Sequence, residues 1–417
     1  MTSSASDTAP ATTPMWTRRG TAAYRRISVA LFLAGFATFS LLYGVQPLLP
    51  AIAQAFGVSP AESSLALSLS TGMLAFAILG AGAVSSAVAR RPLMGASMCA
   101  AAALNIVAAL VPDWHALLVA RAVSGFVLGG VPAVAMAYLA EEIEPPGLGL
   151  AMGLYVGGTA FGGMMGRIGI SVLTEFMGWR AALICLGVIG LAAAAGFAAL
   201  LPASRNFVPR RGQAWSDHVG HWAAHLRRPG LPRLFAIAGL LMGAFVTVYN
   251  YIGFRLVLPP YGLNQTQIGL IFTAYVFGIV SSAVAGALAD RFGRWPVMVS
   301  GMVCMGAGLM LTCVAPLVGV VAGIVGLTFG FFVAHAVASG WVGRLAVGSK
   351  GHASSLYLLS YYLGSSVMGS VGGWFWGHGG WWPVAGFTLV LVGLALWSAW
   401  GLRHVDVARQ PGATMGA

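Results

Sequence analysis

The chain has 417 residues, 58% of them apolar and only 8% charged, and its mean hydropathy is +0.85. So few charges cannot cover a water-soluble protein of this length, which excludes a soluble globular fold and leaves a polytopic membrane protein. The net charge of +12 does not mark a nucleic-acid partner, because the basic residues stand singly or in pairs between apolar runs.

The first 26 residues are polar and carry Arg18, Arg19, Arg25 and Arg26. The apolar run behind them is too long for a signal-peptide core and lacks a convincing cleavage site, so it is expected to stay as a membrane span. Crossing a bilayer takes about 20 apolar residues. Twelve such segments follow, at 27–50, 63–88, 93–111, 116–140, 148–172, 181–201, 233–256, 267–289, 296–315, 317–343, 353–376 and 382–402. All but four of the 22 basic residues fall on the side that holds both termini. Arg180 and Arg255 fall opposite, and Arg121 and Arg167 lie inside spans. This asymmetry predicts that both termini are cytoplasmic.

The expected organisation is a cytoplasmic tail (1–26), a six-span bundle (27–201), a cytoplasmic linker (202–232), a second six-span bundle (233–402) and a tail (403–417). Within the linker, Trp215 to Leu226 reads as an amphipathic helix on the membrane face. His218, His221 and His225 lie on it, but no fourth ligand is evident, so a solvated face is expected and no metal is assigned. Cys99, Cys185, Cys304 and Cys313 all sit in apolar segments and read as packing residues.

The two halves repeat each other. Gly82–Met94 aligns without gaps on Gly286–Met298, Gly125-Phe126 on Gly330-Phe331, Leu154-Tyr155 on Leu356-Tyr357 and Gly178-Trp179 on Gly380-Trp381, at offsets of 202 to 205 residues. Landmarks in one order at nearly one offset indicate a duplicated unit.

The stretch Gly286-Ala-Leu-Ala-Asp-Arg-Phe-Gly-Arg-Trp-Pro-Val-Met298 is a short polar turn between two spans. Gly286 would let helices approach closely, Gly293 would allow a sharp reversal, Arg291 and Arg294 would hold the turn on the inner side, and Asp290 would meet a helix N-terminus. This stretch resembles the loop signature GxLaDrxGrxxxl of the major facilitator superfamily. Arg121-Ala-Val-Ser-Gly125, followed by Gly129-Gly130, resembles its fourth-helix motif RxxxG. Gly149, Gly153, Gly157, Gly158, Gly162 and Gly163 resemble its glycine-rich fifth-helix antiporter motif, with Gly158 where a proline is usual. Local strings such as Phe39-Ser-Leu-Leu-Tyr-Gly-Val-Gln-Pro-Leu-Leu-Pro50 are similar to bacterial drug:proton antiporters of the arabinose-efflux-like group. The resemblance implies an all-α membrane fold of two pseudo-symmetric six-helix bundles that rock about a central site. In the first loop Ser86, Ala87 and Ala89 replace the expected Asp, Arg and Gly, so an acidic latch is expected on one side only, with Asp290 near the start of helix 5 at Pro145-Pro146-Gly147.

Glycines three to five apart make a groove in which a helix of the other half could lie and rock; ordinary close packing is the alternative. An arginine facing lipid costs several kcal/mol, so Arg121 and Arg167 should face a cavity or a carboxylate. Arg167 is read either as a binding or gating residue or as a salt-bridge partner of Glu175 or Glu62. By resemblance Arg121 is linked to proton transfer, with snorkelling to the outer interface as the other reading. No Asp or Glu lies mid-span, which disfavours a cationic solute. His335 is the one imidazole well inside a span, a candidate proton carrier or a hydrogen-bonded packing residue. Tyr43, Gln46, Tyr155, Tyr249, Asn250, Tyr357 and Tyr361 are candidate cavity residues, on spans that line the cleft in the resembled superfamily. Trp374, Trp376, Trp381 and Trp382 read as an interfacial belt.

The expectation is a monomeric inner-membrane secondary transporter that needs no cofactor and exports a small organic solute or drug against protons. Uptake or exchange of an organic anion is the alternative, and a non-transporting solute sensor the alternative of another class. No P-loop and no nucleophile–base set is evident, so neither ATP-driven pumping nor enzymatic activity is expected.

Overall fold

The computed structural model describes residues 15–84, 88–207 and 215–405; Ser86 and Ala87 of the first loop lie outside them. Among these residues the only β pairing is one isolated bridge, Thr17 to Ile143, and the rest of the regular structure is helical. The spans in chain order are 1 (Ala22–Phe56), 2 (Pro60–Val84), 3 (Arg90–Leu110), 4 (Trp114–Glu142), 5 and 6 (together Pro145–Leu200), 7 (Leu231–Val257), 8 (Gln265–Phe292), 9 (Arg294–Leu311), 10 (Leu317–Leu345), 11 (Lys350–Gly377) and 12 (Trp381–Trp400). Spans 5 and 6 part at Gly178, whose φ of 78° and ψ of 161° break the helix. Helices cover all twelve expected segments, with span 1 running on to Phe56; among the described residues ten stretches are long and apolar enough to cross a membrane, one of them holding spans 5 and 6, and span 11 falls short of that measure. A separate helix, Trp215–Arg227, lies in the linker. The end of the molecule that carries it is called here the linker face, and the opposite end the far face.

Helix starts are fixed by side chains that take up orphan backbone N–H groups. Thr21 accepts from Tyr24 N at span 1 and Asp113 from Ala116 N at span 4. Ser59 and Glu62 bond reciprocally at span 2, and Asn264 and Gln267 form a capping box at span 8. Helix ends on the far face use arginines. Arg180 donates to Ala109 O at 2.7 Å and Val111 O at 2.9 Å, closing span 3. Arg255 donates to Thr312 O and to Val314 O, closing span 9. The two basic residues that break the charge asymmetry thus cap the last carbonyls of helices.

Close helix pairs are set by glycine. A Cβ on Gly158 would come within 2.5 Å of Phe32 O, and one on Gly162 within 2.3 Å of Phe36 O, so spans 5 and 1 touch backbone to backbone. The second half repeats this: a Cβ on Gly364 of span 11 would lie 2.0 Å from Gly239 O of span 7. The groove on span 5 is therefore filled by span 1 of its own half, not by a helix of the other half. Gly153 and Gly157 face open space, and Gly163 lies against Arg167 Nη1.

Among the described residues, every hydrogen bond between the halves lies toward the far face. Gln46 Nε2 donates to Asn250 Oδ1 at 2.7 Å, and Ser366 Oγ to Ser68 O at 2.6 Å. Gln265 donates to Pro47 O at 2.7 Å through its side chain and to Glu175 Oε2 at 3.0 Å through its backbone. The far face is closed in this conformation.

Candidate functional site

Span 1 breaks at Gly44, and Gln46–Leu48 form a single 3-10 turn containing Pro47. A break leaves the preceding carbonyls without their usual donors. Arg121 takes them. Its Nη2 donates to Leu42 O at 2.7 Å, Nη1 to Leu41 O at 3.1 Å and more weakly to Asn105 Oδ1 at 3.5 Å, and Nε to Ala66 O at 3.0 Å. The residue is 1% exposed, so it does not snorkel, and among the described residues its partners are carbonyls and an amide and not a carboxylate.

The same break presents Gln46 to the middle of the molecule. Gln46 Oε1 accepts from Arg167 Nε at 2.7 Å, and Gly163 O accepts from Arg167 Nη1 at 2.7 Å. The rings of Tyr43, Phe272 and Tyr275 surround the guanidinium at 4.2, 5.2 and 5.0 Å. The two acids considered as partners are engaged elsewhere: Glu175 accepts from Gln265, and Glu62 from Ser59. Among the described residues Arg167 meets no carboxylate.

Nearer the linker face, His335 Nδ1 lies 3.0 Å from the Tyr357 hydroxyl, its ring stacks on Phe331 at 5.7 Å, and Tyr361 lies 4.8 Å away. Tyr249 on span 7 is tied to span 10 of the same half by a 2.7 Å bond to Thr328 Oγ1 and stacks on Phe272. Tyr155 is buried on span 5 with no partner for its hydroxyl among the described residues. The structure thus gathers Tyr43, Gln46, Arg167 and Asn250 into one hydrogen-bonded and ring-packed group. His335, Tyr357 and Tyr361 form a second group, joined to the first through Phe331, Phe245 and Tyr275. Phe272 and Tyr275 were not visible as site residues in the sequence, because they lie in an apolar run beside a short 3-10 turn at Ile271–Ala274.

Other candidates fall elsewhere. Asp290 pairs with Arg344 at 3.1 Å and Arg294 at 3.6 Å, all in the second half and not with the start of span 5. Arg291 covers Phe292. Gly293, with φ of 91°, makes the reversal, whereas a Cβ on Gly286 would meet nothing within 4 Å, so no close approach occurs there. The linker histidines are not all solvated: His218 Nδ1 lies 2.8 Å from His352 Nε2, and His225 contacts Ser349 O. Among the described residues no group is placed to hold a metal ion. Of the four belt tryptophans, Trp374 and Trp382 are exposed, but Trp381 is buried and bonds Thr312 Oγ1.

Twelve spans with buried charge between two halves define a membrane transport protein of the secondary-transporter type. The Major Facilitator Superfamily model matches residues 31–260 and 240–415, and the chain belongs to that family. It is similar to the inner membrane transport protein YnfM of Escherichia coli (strain K12), 44% identical over 91% of each chain. A more distant likeness, 27% identical over 66% of this chain and 68% of the other, is to a chloramphenicol resistance protein of Streptomyces lividans. Among solved structures, a bacterial homolog of the human lysosomal transporter Spinster, inward-facing and occupied, matches at a TM-score of 0.75. It is 13% identical, over 94% of this chain and all of that one.

Proposed function

We propose that this chain is a proton-coupled exporter of a small organic solute, lying in the inner membrane with its linker face toward the cytoplasm. The observation that carries the reading is the position of Arg167: a buried cation bonded to Gln46, which in turn bonds Asn250 across the two halves. A solute held at that junction touches both halves, as alternating access requires. The charge asymmetry of the loops supports the orientation, and YnfM, named as an inner membrane protein, supports the location. The name of a chloramphenicol efflux pump of Mycobacterium tuberculosis (strain ATCC 25618 / H37Rv), 28% identical over 54% of this chain, supports export. His335 is the proposed proton carrier, since Tyr357 fixes one ring nitrogen and leaves Nε2 without a hydrogen bond among the described residues.

A thermal-shift screen of purified protein against sugars, organic acids and lipophilic drugs identifies a working solute. Proteoliposomes then test transport. With the linker face outward, an acidic lumen should drive solute inward, and His335→Gln should abolish that drive while sparing solute counterflow. Flux indifferent to the pH gradient in both directions would end the proton-coupled reading.

A further inference from the structure

The solute's charge class follows from counting hydrogen-bond donors, given the central site proposed above. A guanidinium carries five N–H groups and accepts nothing. Arg167 uses one on Gln46 Oε1 and one on Gly163 O, and the remaining three meet no acceptor among the described residues. The residue as a whole is 1% exposed, and Nη2, which has no hydrogen-bond partner among the described residues, is not fully covered. Ring faces compensate a buried cation only in part, by less than the cost of removing an ion from water.

Arg167 also fixes its neighbours. Because arginine only donates, Gln46 must turn its oxygen to it, which turns the Gln46 amino group to Asn250. Asn250 must then present its oxygen, and its own amino group is left facing away. That Nδ2 is buried and unpartnered, and so is Ser68 Oγ; both border the space beside Gly369, where a Cβ would stand 3.2 and 3.6 Å from them. The unfilled groups at the junction are thus mainly donors, the Arg167 Nη groups and Asn250 Nδ2, beside a Ser68 hydroxyl that can donate or accept. A cationic solute would find no counter-charge, and a neutral one would leave the guanidinium uncompensated.

We propose that the solute is an organic anion, a carboxylate on an apolar or aromatic body. The carboxylate takes the unfilled Nη edge of Arg167 as a paired, charge-assisted contact, and the rings of Tyr43, Phe272 and Tyr275 flank the body. Gln46 is the residue that holds the guanidinium in place until the anion arrives.

The test uses the full-length purified protein and matched probes: benzoate, benzamide and benzylamine, then phenylacetate, phenylacetamide and phenethylamine. Thermal shift should respond to the carboxylates and not to the amides or amines of the same skeleton. Arg167→Gln should remove that response. Gln46→Glu supplies an internal carboxylate to Arg167, so it should raise the resting melting temperature and weaken carboxylate binding by about tenfold or more. Equal stabilisation by an amide or amine, carboxylate binding that survives both substitutions, or no response to any probe would overturn the proposal. The transport reading fails separately, as carboxylate binding with no flux in proteoliposomes. The anion reading alone fails when a neutral or cationic solute is carried and Arg167→Gln still carries it.

Discussion

Two arginines lie inside spans of this protein, both 1% exposed, and their surroundings are opposite. Arg121 has four of its five N–H groups taken up within the fold, by the carbonyls of Leu41, Leu42 and Ala66 and, more weakly, by Asn105. Arg167 has two acceptors and three rings. Burial alone therefore does not mark function. On the reading proposed above, a buried charge whose hydrogen bonds are nearly all made within the fold is a structural part, and one left with most of its donors unused is kept for a partner that comes and goes. The two are linked, because the broken segment of span 1 that Arg121 clamps is the segment that delivers Gln46 to Arg167.

Removing each arginine should give opposite results. Arg121→Leu leaves three buried carbonyls short of donors, at about 1–3 kcal/mol each, so a loss of roughly 3 kcal/mol or more is expected in thermal unfolding. Arg167→Leu removes an undercompensated cation, so stability should hold or rise while transport is lost. If the two substitutions destabilise equally, the contrast between a structural and a functional arginine is wrong.

The next largest effect should come from the packing that holds span 5 on span 1. A Cβ on Gly166, the residue before Arg167, would lie 2.6 Å from the Cα of Ser40, on the span 1 helix that leads to Gln46. Gly166→Val is expected to cost about 1–3 kcal/mol by overpacking and to weaken solute binding, because it pushes Arg167 away from Gln46. Gly153→Ala, where nothing lies within 4 Å, serves as the control and should alter neither stability nor binding.

A smaller effect separates the bonds around Arg121. Asn105 Oδ1 is its longest contact at 3.5 Å, while Asn105 Nδ2 donates to Leu183 O at 2.8 Å. Asn105→Leu should therefore cost about 1 kcal/mol, mostly through the Leu183 carbonyl, and should leave solute binding unchanged. A loss of binding comparable to that of Arg167→Leu would mean that Arg121 acts in the site after all.

The spans, the six-plus-six division and the presence of two buried arginines were legible because hydropathy and charge are local properties of a sequence. What separates Arg121 from Arg167 is not local. It depends on where span 1 breaks, which Pro47 hints at, and on Gln46 reaching Asn250 on a distant segment. Glycine spacing likewise announces a groove without naming its occupant: Gly158 and Gly162 face span 1, and Gly286 faces nothing. Ring clusters were invisible for the same reason, since Phe272 and Tyr275 look like any other apolar run until the short 3-10 turn aims them.

A third kind of arginine contact gives the smallest expected effect. Asp290 pairs with Arg344 with both side chains more than half exposed. Such a pair contributes about 0–1 kcal/mol, so Asp290→Asn should leave the melting temperature almost unchanged. Its consequence should be conformational. Here, with the far face closed, Asp290 is bonded among the described residues only within its own half. A latch between Asp290 and the first turn of span 5, at Pro145-Pro146-Gly147, could form only when the linker face closes, where the helix N-terminus would favour an anion. Replacing the carboxylate should then weaken only that second state and shift the population toward the one described here. Cysteine probes placed between the halves should become more reactive from the linker face and less so from the far face. Unchanged reactivity on both faces would make Asp290 a surface ion pair and nothing more.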